Sequence, residues 1–416
     1  MPGGVGGARW SITIVPYPDC TREKFTMKPV TKPSQFTDLI RPLLARLRIA
    51  NAFALAIVLM MTGALPVTAF AQASNSPLGP MTSGCVGAAC PPTYDKTDPW
   101  GNVASVANCG TSPIGRDEAY SIYAGGTFTV TAGAEGEGRF YVKGNLNAGT
   151  LMYNIVAVGV GSCVVPPDSL QPHVESGANI SGSDVRVGEL YNLHSDVKAV
   201  GSIAATVSTQ GAKTPNTTIN PEPISFATLQ ARSDDWAALP TTGTAVVDPW
   251  TVTFTGNGTS ALQVFDLVLN GGNNRVVSFA NIPTTATVLI NVESASAVTI
   301  PTDDFCDLAN KGGMQFSGDL TRRILWNFPN APSVSLTGSS QFRGSVLVPR
   351  GNLTMAVLGL NGRVLVSGNI VQNRGGSEFH NFDFIGTCPC HLRPTSKSAR
   401  SWTMPPRTWA KTSPSP

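Results

Sequence analysis

The chain has 416 residues, of which only 13% are charged, while Gly (42) and Pro (32) together exceed a sixth. Residues 1–71 hold eight Lys/Arg against three Asp/Glu, and residues 390–416 hold five Lys/Arg and no acid, leaving 16 basic and 23 acidic residues in 72–389. A body about seven charges negative has no basic face for phosphates, which excludes a nucleic-acid partner. Its Thr-, Ser-, Asn-, Val- and Gly-rich runs exclude a helical protein.

In chain order, the first 26 residues make a poor start for an export signal, with Trp10, Pro16, Pro18 and Cys20, whereas Met27 opens a conventional basic region with Lys28 and Lys32. Translation is therefore expected to begin at Met27. Ile49 to Ala71 (IANAFALAIVLMMTGALPVTAFA) is uncharged, follows Arg41, Arg46 and Arg48, and closes on Ala69-Phe70-Ala71. A basic region, an apolar core and a small-x-small site predict a signal peptide cleaved after Ala71. The membrane is expected to be met only through this segment before cleavage.

Residues 72–112 form a Gly- and Pro-rich segment containing Cys85, Cys90 and Cys109. With Cys163, Cys306 and Cys388 they make six cysteines, suited to three disulfides outside the cytoplasm, and 15 pairings stay open. Cys388-x-Cys390 with His391 lacks the second ligand pair of a zinc site, so no metal is expected. The tail from 390 to 416 has no apolar period and is expected to be disordered, as an out-of-frame translation would be. It holds no evident anchor.

The body, 113–389, reads as short strands between turns. Phe128–Thr131, Phe140–Val142, Thr251–Thr255, Val288–Val292, Val346–Val348 and Val364–Val366 have strand length and composition. Gly144-Asn145, Gly256-Asn257-Gly258, Gly271–Asn274, Gly351-Asn352 and Gly368-Asn369 are turn signals, because Gly and Asn tolerate positive φ. GSVLVPRGNL (344–353) and GRVLVSGNI (362–370) share one rhythm, and GRFYVKGNL (138–146) echoes it upstream. A rung turning at Gly-Asn and returning a short apolar strand to the next layer predicts an irregular β-solenoid; a β-sandwich is the alternative. One helix interrupts the strands: SFATLQARSDDWAAL (225–239) spaces Phe226, Leu229, Trp236 and Leu239 along one side, with Ser225 as N-cap and Pro240 as stop. The fold class is thus mainly β, with one α-helix alongside.

The segments ILWNFP (324–329), GSVLVPRGNL, GRVLVSGNI and EFHNFDFIG (378–386) together resemble the choice-of-anchor A domain of bacterial surface proteins. The closing signature of that family is matched by Glu378, His380, Asn381, Phe384 and Gly386; its "APn" element departs here, as Val348-Pro349-Arg350-Gly351-Asn352. The resemblance implies an ice-binding-like adhesive solenoid, secreted and held at a bacterial surface. It also implies a partner that is an extracellular surface, matrix protein or glycan, and a structural role for the signature residues.

No enzyme is expected. Glu378 and His380 would share one side of a strand, but no Gly-x-Ser-x-Gly motif accompanies them, and His173 and His194 have no partner at a useful spacing. Asp303, Asp304 and Asp307 are read as a solvated turn beside Cys306, being too few for calcium. No catalytic residue, cofactor or metal ligand is assigned. Two other functions stay open: a polysaccharide-cleaving β-helix enzyme, with carboxylates paired from distant rungs, and an ice-binding protein using the hydroxyls of Thr127, Thr129, Thr131, Thr251, Thr253 and Thr255. Strands also favour Thr for its own sake.

Overall fold

A computed structural model describes residues 115–386 except 117–118, 157–163, 166–171, 189–194, 270–274 and 308–317. The export segment, Cys85, Cys90, Cys109, Cys163, Cys388, His194, the Gly271–Asn274 turn and the tail after Pro389 lie outside the described residues. Cys306 lies within them, buried in the strand Val298–Asp307. Asp303 and Asp304 belong to the same strand, so the expected solvated turn is instead an irregularity in a β-strand.

Each rung of the body alternates inward and outward residues. In Ser345–Val348 and Val364–Val366 the valines enter the core, while Leu347 and Leu365 face out. After the Gly-Asn corner the alternation resumes, with Leu353, Met355 and Ile370 inward. Val346, Leu347 and Val348 lie against Val364, Leu365 and Val366, and Leu353 lies against Ile370, so the two sequence copies are neighbouring rungs in register. GRFYVKGNL comes two rungs further on, beyond Tyr120–Ala124.

Every pairing among the described strands is parallel except that between Thr244–Val247 and Thr251–Thr255. This is a solenoid; the antiparallel sheets of a sandwich are not present among the described strands. Three sheets of ten, ten and seven strands wall it. One ten-stranded sheet contains Tyr120–Ala124 and is called here the helix face. The other contains Phe128–Val130 and is called the open face. The seven-stranded sheet, with Ala134–Glu137, is the narrow face.

Corners follow from local chemistry. Gly138 and Gly344, at the corner before the helix face, have φ of +79° and +106°, where a Cβ is disfavoured. At the next corner the glycines stack tightly: a Cβ on Gly368 would lie 2.3 Å from Asn352 Oδ1. The adjoining asparagines bond from rung to rung. Asn352 Oδ1 accepts from Asn369 N (2.7 Å), Asn369 Oδ1 from Thr127 N (2.8 Å), Asn145 Oδ1 from Asn179 N (3.1 Å) and Asn179 Oδ1 from Ser202 N (2.9 Å). A Gly-Asn corner thus satisfies backbone donors that the turn would otherwise leave unpaired.

The chain does not climb the stack in one direction. It starts in the middle, at Tyr120–Ala124, and builds rungs outward to Lys213–Thr214. It then returns along the outside to Thr244–Val247 at the opposite end and coils back. The last rung, Val364–His380, stacks on the first: Ile122 pairs with Val364, Phe128 with Ile370, and Glu135 with Glu378.

The returning segment carries the helix α1, Phe226–Ala237, within two residues of the expected bounds. Ser225 Oγ accepts from Thr228 N at 3.1 Å, as an N-cap should. Leu229, Ser233 and Trp236 are buried on the helix face, over Leu289, Leu325, Leu347 and Leu365. Phe226 stacks on Tyr123 at 4.5 Å between centroids. Polar pins fix the rest. Asn327 Nδ2 donates to Ser233 O (3.0 Å) and Asn291 Nδ2 to Trp236 O (3.1 Å), both asparagines being fully buried. Upstream of α1, buried Glu175 accepts from Asn220 N (2.7 Å) and from Tyr120 Oη, while Tyr123 Oη donates to Ile224 O (2.7 Å). Tyr141 Oη donates to Asn220 O (2.9 Å), and burial pushes its pKa up to about 12.

Candidate functional site

The three walls present different outer surfaces. On the helix face one row across the sheet runs Asp266, Asn291, Asn327, Leu347, Leu365, Tyr123, Tyr141, Glu175, Lys198 and Thr214. Its apolar and amide members are covered by α1 and its flanking segment. On the narrow face a row reads Gln341, Gly359, Glu378, Glu135, Asn154, Arg186 and Ser208, a charged surface.

Across the open face one row crosses seven strands in register: Thr299, Ser335, Thr354, Val371, Thr129, Asn147 and Ser181. None carries a charge, and six of the seven present a hydroxyl or amide. Their neighbours along each strand, such as Phe128 and Val130 or Leu353 and Met355, fill the core, so the row points outward. Among the described residues, the hydroxyls of Thr299, Ser335, Thr354 and Thr129 bond to no other protein atom. The Asn352, Asn369, Thr127, Asn145 and Asn179 corner flanks the row on one side. Thr337, Ala356, Asn373 and Thr131 flank it on the other, where Thr131 Oγ1 lies 2.7 Å from Asn373 Oδ1. Strand spacing makes this a fixed grid of about 4.8 Å by about 6.6 Å, and on the order of 30 Å across.

The two threonine runs do not join. Thr129 lies in the seven-strand row, but Thr253 belongs to a separate one with Val246, Ser278 and Cys306. Strand Val298–Asp307 pairs through its first half with Ser333–Gly338 and through its second half with Arg275–Ala280, so the rows are offset by seven residues along it. The other row members went unread in the sequence. They carry a signal nonetheless: each lies two residues past a corner asparagine or its equivalent, as in Asn145-Leu146-Asn147, Asn352-Leu353-Thr354, Asn369-Ile370-Val371 and Asn179-Ile180-Ser181.

The signature residues sit where the last rung meets the first. His380 Nδ1 lies 2.7 Å from Asn361 Oδ1 and its Nε2 lies 2.6 Å from Glu378 Oε2, so both ring nitrogens are engaged. Burial pulls the His380 pKa down, but the Glu378 hydrogen bond and the charges of Glu137 and Glu378 outweigh it and hold the pKa above the ordinary value. The same hydrogen bond holds the Glu378 carboxyl below its own ordinary value. Asn381 N donates to Glu137 Oε2 (2.9 Å) and Asn381 Oδ1 accepts from Arg363 (2.7 Å), joining first and last rungs. Phe384 is buried under the returning segment, and a Cβ on Gly386 would lie 2.5 Å from its ring. His173 is buried on another rung and does not approach this group. Among the described residues no cluster of three His, Cys, Asp or Glu is arranged for a metal.

No curated protein matches the chain. A solved structure, described as an ice binding protein from an Antarctic biological consortium, is 16% identical over 69% of this chain and 93% of its own, with a TM-score of 0.29. The family model described as "Putative Ice-binding-like adhesive domain" matches residues 113–381. An adhesive domain binds external surfaces, and this family points to a non-enzymatic protein at an extracellular or surface location. The match spans well over half of the chain, which therefore belongs to the ice-binding-like adhesive domain family.

Proposed function

We propose that this is an exported bacterial surface protein whose open face lies flat on an extended, uncharged, polar partner, and that the partner is a polysaccharide surface. The observation that carries this reading is the seven-strand row of hydroxyls and amides, free of charge and held by a rigid sheet. A preorganised grid loses little conformational entropy on binding. A repeating glycan offers hydroxyls and carbonyls to meet it, and the absence of charge makes the contact tolerant of salt. The signal peptide expected to end at Ala71 supports export, and the signature at Glu378–Gly386 is proposed to serve the fold.

Beads coated with the chain are expected to be retained on uncharged polysaccharide, more than on matrix protein or bare glass, and equally at low and high salt. A chain carrying Thr129→Lys and Thr354→Lys is expected to lose that retention while keeping its stability. Retention unchanged by both substitutions would remove the open face from the reading. Ice is the second reading, favoured by the regular spacing of the same row. Slowed ice recrystallisation without retention on any glycan would select it.

A further inference from the structure

The two ends of the solenoid are finished differently. At the end built by the N-terminal rungs, Lys213 Nζ donates to Val207 O at 2.7 Å. Asn216 N and Thr217 N bond back to Gly201 O (2.9 Å) and Ala199 O (3.0 Å), so the chain folds over its own last rung. A lysine and a covering segment are the usual protections of a sheet end.

Among the described residues the opposite end has neither. Among the described strands, Thr244–Val247 is the outermost of the open face and pairs on one side only, with Thr251–Thr255. Its four residues are Thr, Ala, Val and Val, with no charge, proline or bulge. Ala245 and Val247 face the core, whereas Val246 is 51% exposed. Trp250, in the turn between the two strands, is 56% exposed, and Val268, following the last strand of the helix face, is 65% exposed. An uncharged edge whose outer N–H and C=O groups meet no described strand is a template for another strand.

We infer that this edge pairs with the same edge of a second copy, antiparallel about a two-fold axis at Val246. The chemistry favours a copy over a foreign strand for two reasons. An edge with no charge opposes nothing repulsive when set against itself, and an isologous contact closes after two copies. Period-two alternation then sets Val246 opposite Val246 on the outer side and Ala245 opposite Val247 on the core side, which covers the exposed valine. The join would bring two open faces into one continuous sheet, doubling the surface offered to a partner by avidity.

Sedimentation of the full chain over a concentration series tests this, with Val246→Lys and Val246→Cys alongside. A dimer is expected. Val246→Lys sets two like charges face to face and removes apolar burial, and is expected to raise the dimer dissociation constant by roughly tenfold or more. Residues opposite each other in an antiparallel pair have Cα atoms about 4.5–5.5 Å apart, within the ~4.4–6.8 Å that a disulfide spans. Val246→Cys is therefore expected to give a covalent dimer on oxidation that the unsubstituted chain does not give. A chain that stays monomeric at high micromolar concentration overturns the inference. So does a dimer that Val246→Lys leaves intact and Val246→Cys does not cross-link.

Discussion

Leu365 and Val371 lie on consecutive strands of one rung, the first between inward Val364 and Val366 and the second between inward Ile370 and the fully buried Gln372, yet one is sealed under α1 and the other faces outward. The same holds rung after rung: Leu347 against Thr354, Tyr123 against Thr129, Tyr141 against Asn147. The inward residues are apolar on both strands, apart from Gln372. Only the outward residue differs, and it decides whether a wall is covered by the chain's own helix or left exposed. A solenoid can therefore devote one wall to stability and another to binding with little cross-talk, because the shared core separates them.

That separation can be broken most strongly at α1. Trp236→Ala removes a buried ring from the covered wall and is expected to cost about 3–5 kcal/mol in urea unfolding. A cost near zero would mean that the helix lies on the wall without holding it. A paired substitution sharpens the contrast. Leu365→Thr leaves a cavity and buries a hydroxyl, for an expected loss of about 2–4 kcal/mol. Val371→Thr is expected to change stability by no more than about 0.5 kcal/mol while completing the hydroxyl row and raising retention on polysaccharide. Equal costs at the two positions would end the distinction between the walls.

The narrow face supplies a subtler comparison. His380 has a raised pKa when folded, so its contribution is complete below its unfolded value of about 6.5 and is lost as the pH rises through the folded one. Glu378 has a depressed pKa, so its contribution is present above its unfolded value of about 4.3 and is lost as the pH falls through the folded one. The pair is at full strength between those two unfolded values. From about pH 6 to about pH 9, the melting temperature of the unsubstituted chain is expected to fall further than that of His380→Gln. Parallel melting curves would show that the pair contributes nothing. Retention through the open face, which has no titratable group in its row, is expected to stay constant over the same range.

Much of this architecture was legible locally. Ser225 and Pro240 bracket the helix because capping and chain-breaking are short-range effects. The Gly-x-Val-Leu-Val rhythm reveals the rungs because inward alternation has a period of two. The open-face row was less legible. Thr129 stood out beside Thr127 and Thr131, but Ser335, Thr354 and Thr299 look ordinary until parallel pairing sets them side by side. Asn291 and Asn327, more than thirty positions apart, gave no hint that they would share a hydrogen bond of 3.0 Å and hold the helix end between them.

What the sequence determined by itself was therefore what depends on near neighbours: the β class, the rung length, the corners, the helix and its limits. The tertiary structure alone decided that the first rung stacks on the last, that the chain crosses back outside to reach the far end, and that the two threonine runs fall in different rows. Those outcomes depend on register between strands as many as 243 positions apart, as in the pairing of Glu378 with Glu135. Such pairing is selected by the packing of the common core, which no local pattern encodes.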